Sequence, residues 1–249
     1  MVNDLQTIDR GDGVNLAFRR VSGRGPTLVW LSGFKSDMAG TKAEALSAWA
    51  QARGQGFLRF DYSGHGLSGD AFEACDVSRW RADVLRMVDA ATEGPLVLVG
   101  SSMGGWMALL AALARPERVA ALLLIAPAAD FTQALLEPNL PDDARRALAE
   151  TGRWARPSPY DDAPYVITQR LIEDGRNWLL LNETIPFGGP VRVLQGMRDD
   201  DVPWRHAVRT AEAIASDDVR VTLVKDGDHR LSRPQDIALL LETAEALAG

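Results

Sequence analysis

Pro95-Leu96-Val97-Leu98-Val99-Gly100-Ser101-Ser102-Met103-Gly104-Gly105-Trp106-Met107-Ala108-Leu109-Leu110 is the stretch on which the reading of this chain turns. The unbroken apolar run at 95–100 predicts a strand buried on both faces, and the small and apolar residues of 103–114 predict a helix directly after it. Ser102 therefore stands at a sharp strand-to-helix turn between Gly100 and Gly104, the local geometry of a nucleophile elbow. Small neighbours are required there, because larger side chains would collide with the adjoining strand and helix. A GxSxG match is weak by itself. A serine hydroxyl is a poor nucleophile, so the reading needs a general base and a carboxylate to orient that base.

Both follow, in the order Ser, Asp, His. Strand-like residues 191–194 lead into Gly196-Met197-Arg198-Asp199, and residues 219–224 lead into Asp226-Gly227-Asp228-His229. The chain has three histidines. His229 follows the last strand, where a triad base is expected; its imidazole can take the serine proton and return it to a leaving group near neutral pH. His65, in a glycine-rich loop, reads as a turn and packing element, and His206 as a histidine on a helix surface. Asp199, Asp200 and Asp201 compete to orient the imidazole. Asp199 is preferred because it comes first after the strand end, with Asp130 in reserve and Asp228 read as a loop carboxylate. The run of three acids lacks the alternating oxygen ligands and glycine of a calcium loop, so no metal is expected. Two backbone N–H groups are needed for a tetrahedral oxyanion, and the expected donors are Met103, the residue after the nucleophile, and Phe34, in the loop after strand 27–31. Gly100 to Gly105 does not run into a GK[ST] ending and no dinucleotide fingerprint follows the first strand, so no nucleotide cofactor is expected.

The remaining chain alternates. Strands are predicted at 15–21, 27–31, 56–61, 95–100, 119–126, 191–194 and 219–224, and helices at 42–53, 80–91, 103–114, 204–215 and 235–247. That alternation predicts an α/β protein with a mostly parallel sheet covered on both faces. Residues 130–190 break the rhythm with proline-punctuated helical pieces at 142–150 and 166–181 and no convincing strand. They read as a helical cap inserted over the end of the sheet where open α/β sheets bind ligands. By spacing, Trp154, Tyr160 and Trp178 in this insertion read as core, with an acyl-pocket lining as the alternative.

At 249 residues, 46% of them hydrophobic and 24% charged, the chain is the size and composition of one α/β domain spanning 1–249. A net charge of −7 with scattered arginines argues against a nucleic-acid partner. The single cysteine, Cys75, excludes an intramolecular disulfide framework and reads as a structural thiol. No apolar run reaches membrane-spanning length and the first residues do not resemble a leader, so a cytoplasmic protein without a membrane partner is expected. Its oligomeric state is not legible.

Gly33-Phe34, Met38-Ala39-Gly40-Thr41-Lys42-Ala43, Arg59-Phe60-Asp61-Tyr62-Ser63-Gly64, Val99 to Trp106, Gly196-Met197-Arg198-Asp199-Asp200, Val202-Pro203-Trp204 and Asp228-His229-Arg230 together resemble α/β-hydrolase domain-containing proteins related to the mitochondrial palmitoyl-protein thioesterase and acyl-glucuronide esterase. The resemblance runs through nearly the whole chain. It implies an α/β-hydrolase fold, a Ser102, Asp199 and His229 triad, and neither metal nor organic cofactor. The expected activity is serine hydrolysis of a carboxylic ester or acyl thioester of small-molecule type. Carbon-carbon hydrolysis of a diketone and a non-catalytic ligand-binding module are the alternatives on the same fold.

Overall fold

The computed structural model describes residues 4–157 and 164–249. In chain order it contains β1 (Gln6–Asp9), β2 (Asn15–Val21), β3 (Arg24–Leu31), α1 (Thr41–Arg53), β4 (Gln55–Phe60), α2 (Val77–Ala91), β5 (Leu96–Ser101), α3 (Met103–Ala114) and β6 (Val119–Ile125). There follow α4 (Asp142–Thr151), β7 (Arg153–Arg156), β8 (Tyr165–Thr168), α5 (Gln169–Gly175), β9 (Val191–Gly196), α6 (Trp204–Ala213), β10 (Val219–Val224) and α7 (Pro234–Ala248). Eight strands make one sheet in the order β1-β2-β4-β3-β5-β6-β9-β10. The β1, β2 and β4 pairings are antiparallel, and every pairing from β4 across to β10 is parallel.

The unbroken apolar strands have two faces to fill. In β3, Val29 and Leu31 turn toward a large core shared with α2 and α3, whereas Leu28 and Trp30 turn toward a second core shared with α1 and α7. Alternate residues of a strand face opposite ways, so both sets must be apolar when helices cover both sides. Trp80 of α2 and Trp106 of α3 are fully buried in the first core. Burying a large apolar side chain stabilises by roughly 1.5–3 kcal/mol. All six residues of β5 are buried, and it lies at the centre of the parallel array, with β3 on one side and β6 on the other.

Three sequence expectations need correcting. No strand is expected before residue 15, yet β1 is present and pairs antiparallel with β2; its residues are largely exposed, so it carries no apolar pattern to reveal it. Residues 130–190 are not free of strands, because β7 and β8 form a two-stranded antiparallel pair. The helix expected at 166–181 is accordingly short. Tyr165-Val166-Ile167-Thr168 is a β-branched, strand-forming run, and the Thr168 hydroxyl then accepts the N–H of Leu171 at 3.1 Å and starts α5. The expected helix at 142–150 is present as α4.

Candidate active site

β5 ends at Ser101 and α3 begins at Met103, so the reversal falls on Ser102, with φ 55° and ψ −120°. A non-glycine residue in this region costs on the order of 1–3 kcal/mol and persists only where its surroundings over-determine it. Ser102 donates its N–H to Ile125 O at 2.9 Å, and its carbonyl accepts from Gly105 N at 2.8 Å and Ala128 N at 3.1 Å. A Cβ on Gly104 would stand 2.0 Å from Leu31 O, so only glycine lets the helix start so close to β3.

His229 comes from the loop after β10. Its Nε2 lies 3.2 Å from Ser102 Oγ and its Nδ1 lies 2.8 Å from Asp199 Oδ2. A carboxylate only accepts, so Nδ1 carries the proton and Nε2 presents its lone pair to the hydroxyl. The Asp199 side chain is wholly buried. Besides His229, its Oδ2 accepts from Gln195 Nε2 at 2.9 Å, and its Oδ1 accepts from Asp201 N at 3.0 Å and Val202 N at 2.7 Å. Those donors compensate the buried negative charge and fix the carboxylate plane. Asp199, Asp201 and His229 also bring three ligand-type atoms within 4.8 Å of one another. Both oxygens of Asp199 are already committed to N–H donors, and a cation there would break the bond to His229, so this donor set favours orienting the imidazole over binding a metal.

The reserve carboxylate Asp130 is elsewhere. It accepts the N–H of Leu180 at 2.9 Å and of Leu181 at 2.9 Å, and so ties the end of β6 to residues far along the chain. Burial raises its pKa. Asp228 accepts from Leu231 N at 2.9 Å, as a loop carboxylate should. His206 is not on a surface: it is buried, with Nε2 2.8 Å from Ala129 O, because the chain leaving β6 passes over the start of α6. Cys75 is buried, and desolvation pushes its thiol up to about 12, which leaves it unreactive near neutral pH.

The two expected oxyanion donors lie on the two segments that adjoin Ser102, the start of α3 and the loop after β3. Met103 is the first residue of α3, where the N–H has no carbonyl one turn back. Phe34 donates its N–H to no group among the described residues. Gly33 brings that loop against the nucleophile, since a Cβ on it would lie 3.4 Å from Ser102 Cβ.

Ser102 and His229 open into a cleft of about 760 Å³. Part of its wall is apolar, formed by Phe34, Phe131, Leu135, Leu136, Tyr165 and Ile167; another part is polar, with Thr41, Lys42, Arg230 and Ser232. Neither Trp154 nor Trp178 is in this wall. Trp154 packs against the small apolar cluster of 136–172, and Trp178 packs on the main core with Nε1 donating to Ser78 Oγ at 2.8 Å. Tyr160 lies outside the described residues.

Sequence reading missed several supporting groups. Gln195 is one, and its signal was a polar residue directly after the apolar pair Val193-Leu194, close to the strand end that leads to Asp199. Lys42 is another: its Nζ donates to the Arg230 carbonyl and to Ser232 Oγ, pinning the loop that carries His229 to the start of α1. Burial, with the Arg230 charge adding to it, pushes the Lys42 ammonium down to about 8. Asp61 is a third, accepting from Met38 N at 2.7 Å and Leu67 N at 2.8 Å. No local pattern announces the Lys42 contacts or the bond from Met38 to Asp61, whose partners are distant in sequence.

A family model described as "Serine aminopeptidase, S33" matches residues 26–171. The bovine (Bos taurus) protein named palmitoyl-protein thioesterase ABHD10, mitochondrial, is 41% identical over 244 residues, covering 98% of this chain and 79% of its own. A crystal structure of a putative hydrolase from Agrobacterium vitis superposes with a TM-score of 0.95 at 42% identity, covering 99% of both chains. The mouse alpha/beta hydrolase domain-containing protein 10 superposes with a TM-score of 0.90 at 41% identity, covering 98% of both. No helix among the described residues is long and apolar enough to cross a membrane.

Proposed function

The chain belongs to the α/β-hydrolase family, and from that premise we propose that it cleaves a carboxylic ester or acyl thioester through an acyl-enzyme on Ser102. The observation that carries this reading is the continuous hydrogen-bond path from Ser102 Oγ through His229 to the buried Asp199, opening into the cleft. His229 Nε2 takes the hydroxyl proton as Oγ attacks the acyl carbonyl. Asp199 keeps the imidazole in the required tautomer and stabilises the imidazolium. The N–H groups of Phe34 and Met103 receive the oxyanion of the tetrahedral intermediate. Its collapse breaks the acyl-to-heteroatom bond, and the imidazolium returns its proton to the departing oxygen or sulfur. Water, deprotonated by the same histidine, then attacks the acyl-enzyme and releases the carboxylic acid with Ser102 restored.

The two kinds of cleft wall support an asymmetric substrate. We infer that the apolar residues of 131–167 hold the acyl chain and that residues 130–190 act as a cap on the single domain. The family relation to a protein named as a palmitoyl-protein thioesterase supports a long acyl chain and a sulfur leaving group among the candidates. The test is a panel of p-nitrophenyl esters of increasing chain length beside acyl-cysteine and acyl-CoA thioesters, with fluorophosphonate labelling of native protein and Ser102→Ala. The expected result is stoichiometric labelling that disappears in the variant, with turnover lowered by on the order of 10⁵- to 10⁶-fold. Labelling that survives in Ser102→Ala would sink the assignment. Turnover of ring-fission diketones in place of the esters would move the chemistry to carbon-carbon cleavage.

A further inference from the structure

The loop that carries Phe34 is a tight turn in an unfavourable conformation. Ser36 N donates to Gly33 O at 3.1 Å, closing a four-residue turn with Phe34 and Lys35 at its centre. Lys35 has φ 58°, the left-handed region that the third position of such a turn normally reserves for glycine. Left alone, a turn with lysine there relieves the clash by rotating the Phe34–Lys35 peptide into the commoner form. Something must hold that peptide. The Lys35 N–H points at His65 Nε2, 3.2 Å away.

His65 is itself fixed from every side. Its Nδ1 is 3.1 Å from Ser63 O, and its ring packs edge-on against Tyr62, Phe72 and Trp80. A carbonyl only accepts and a backbone N–H only donates, so the two partners are satisfied together by one species: neutral imidazole with its proton on Nδ1. Burial, with Lys35 assisting and Ser63 and Asp37 opposing, holds the imidazole down at about 4, so this species prevails at neutral pH. The loop bearing His65 is anchored in turn by Asp61. At Gly66 a Cβ would lie 2.1 Å from Asp61 Oδ2, so glycine with φ 47° is what lets the loop fold over that carboxylate.

We propose that His65 is a positioning residue for catalysis, its Nε2 holding the Phe34–Lys35 peptide in the strained turn that aims the Phe34 N–H at the oxyanion. This rests on the oxyanion role given to Phe34 under the proposed function. His65 touches no reacting atom, and its effect passes wholly through the Lys35 amide.

The test compares His65→Gln with His65→Asn. A glutamine side chain reaches the place of Nε2 and offers Oε1 to Lys35 N–H, whereas asparagine reaches only the place of Nδ1 and leaves Lys35 without an acceptor. Rates are normalised to the sites counted by exhaustive fluorophosphonate labelling, which removes any unfolded fraction. The expected result is that His65→Asn loses about 10- to 100-fold in kcat with KM within about twofold, while His65→Gln stays within about threefold of native. Affinity for a trifluoromethyl ketone, which forms the tetrahedral adduct, should fall in His65→Asn by the same factor as kcat. Equal losses in both variants, or none in either, would overturn the proposal. Phe34→Pro, which deletes the N–H itself, separates this from the underlying reading. A large loss in Phe34→Pro with none in His65→Asn overturns the His65 role alone, and an unchanged rate in Phe34→Pro removes the oxyanion reading and this proposal with it.

Discussion

Two regions meet at the cleft and are built in different ways. The ends of the parallel strands supply Ser102, Asp199 and the loop bearing His229: the Ser102 backbone bonds to Ile125 O and Ala128 N, the Asp199 carboxylate accepts from Gln195 Nε2 and Val202 N, and the His229 ring bonds to Asp199. Residues 131–190 supply much of the apolar wall. Leu171, Leu181, Ile185 and Phe187 anchor them on the main core, and the part over the cleft is held by a small cluster of its own, Leu136, Leu140, Ala144, Leu148, Ile167 and Ile172, and by the β7 and β8 pair. Groups whose positions must hold to a fraction of an ångström sit where many strands converge, and groups that need only be apolar and roughly placed sit on a lighter scaffold.

The comparison is tested most severely at Asp199. Asp199→Asn should leave the fold intact, since an amide fills the same volume, yet lower kcat by about 10⁴-fold, because it holds His229 in the wrong tautomer. Steady-state rates beside the circular dichroism spectrum would check this, and a loss below tenfold would break the claim that the strand ends carry the chemistry.

The next effect is on stability and its pH dependence. His65, 4% exposed, has its pKa lowered to about 4 from an ordinary 6.5. Between those values the unfolded chain binds the proton and the native protein does not, so native stability falls as pH drops from 6.5 toward 4 and is fully present above 6.5. The integrated contribution is on the order of 3 kcal/mol. His65→Gln should remove that slope from the difference between native and variant urea-unfolding free energies. Parallel curves for the two proteins across this range would show that His65 is not held neutral in the native state.

The smallest effect belongs to the lighter region and sharpens the contrast. Leu135, half-buried in the cleft wall, should when changed to alanine reduce kcat/KM for dodecanoyl and hexadecanoyl esters by about fivefold and leave acetyl esters unchanged. An equal loss on both chain lengths would mean that 131–190 shapes the chemistry and not only the acyl pocket.

How much of this was legible in the sequence follows the same division. Strands 15–21 and 219–224 and helix 103–114 were readable to the residue, because buried parallel strands and helices that cover them impose strong local patterns. Ser102, Asp199 and His229, which one hydrogen-bond path joins, could be named as candidates because each follows a strand end, and the topology of a parallel sheet sends those ends to one edge. Residues 131–190 were less legible. Their short strands and helices lack a period long enough to read, although Trp154 and Trp178, read from their spacing as core, do pack on apolar clusters and not in the cleft wall.

Local pattern and residue spacing alone set the alternation of β2 to β6, β9 and β10 with the helices between them, the turn at Ser102 and the candidate groups Ser102, Asp199 and His229, while β1, β7 and β8 left no such pattern. Packing in three dimensions alone sets the bonds from Leu180 and Leu181 N–H to Asp130, from Gln195 to Asp199, from Lys42 to Ser232, from Met38 N–H to Asp61 and from Lys35 N–H to His65. No one-dimensional pattern carries the partner and direction of those bonds.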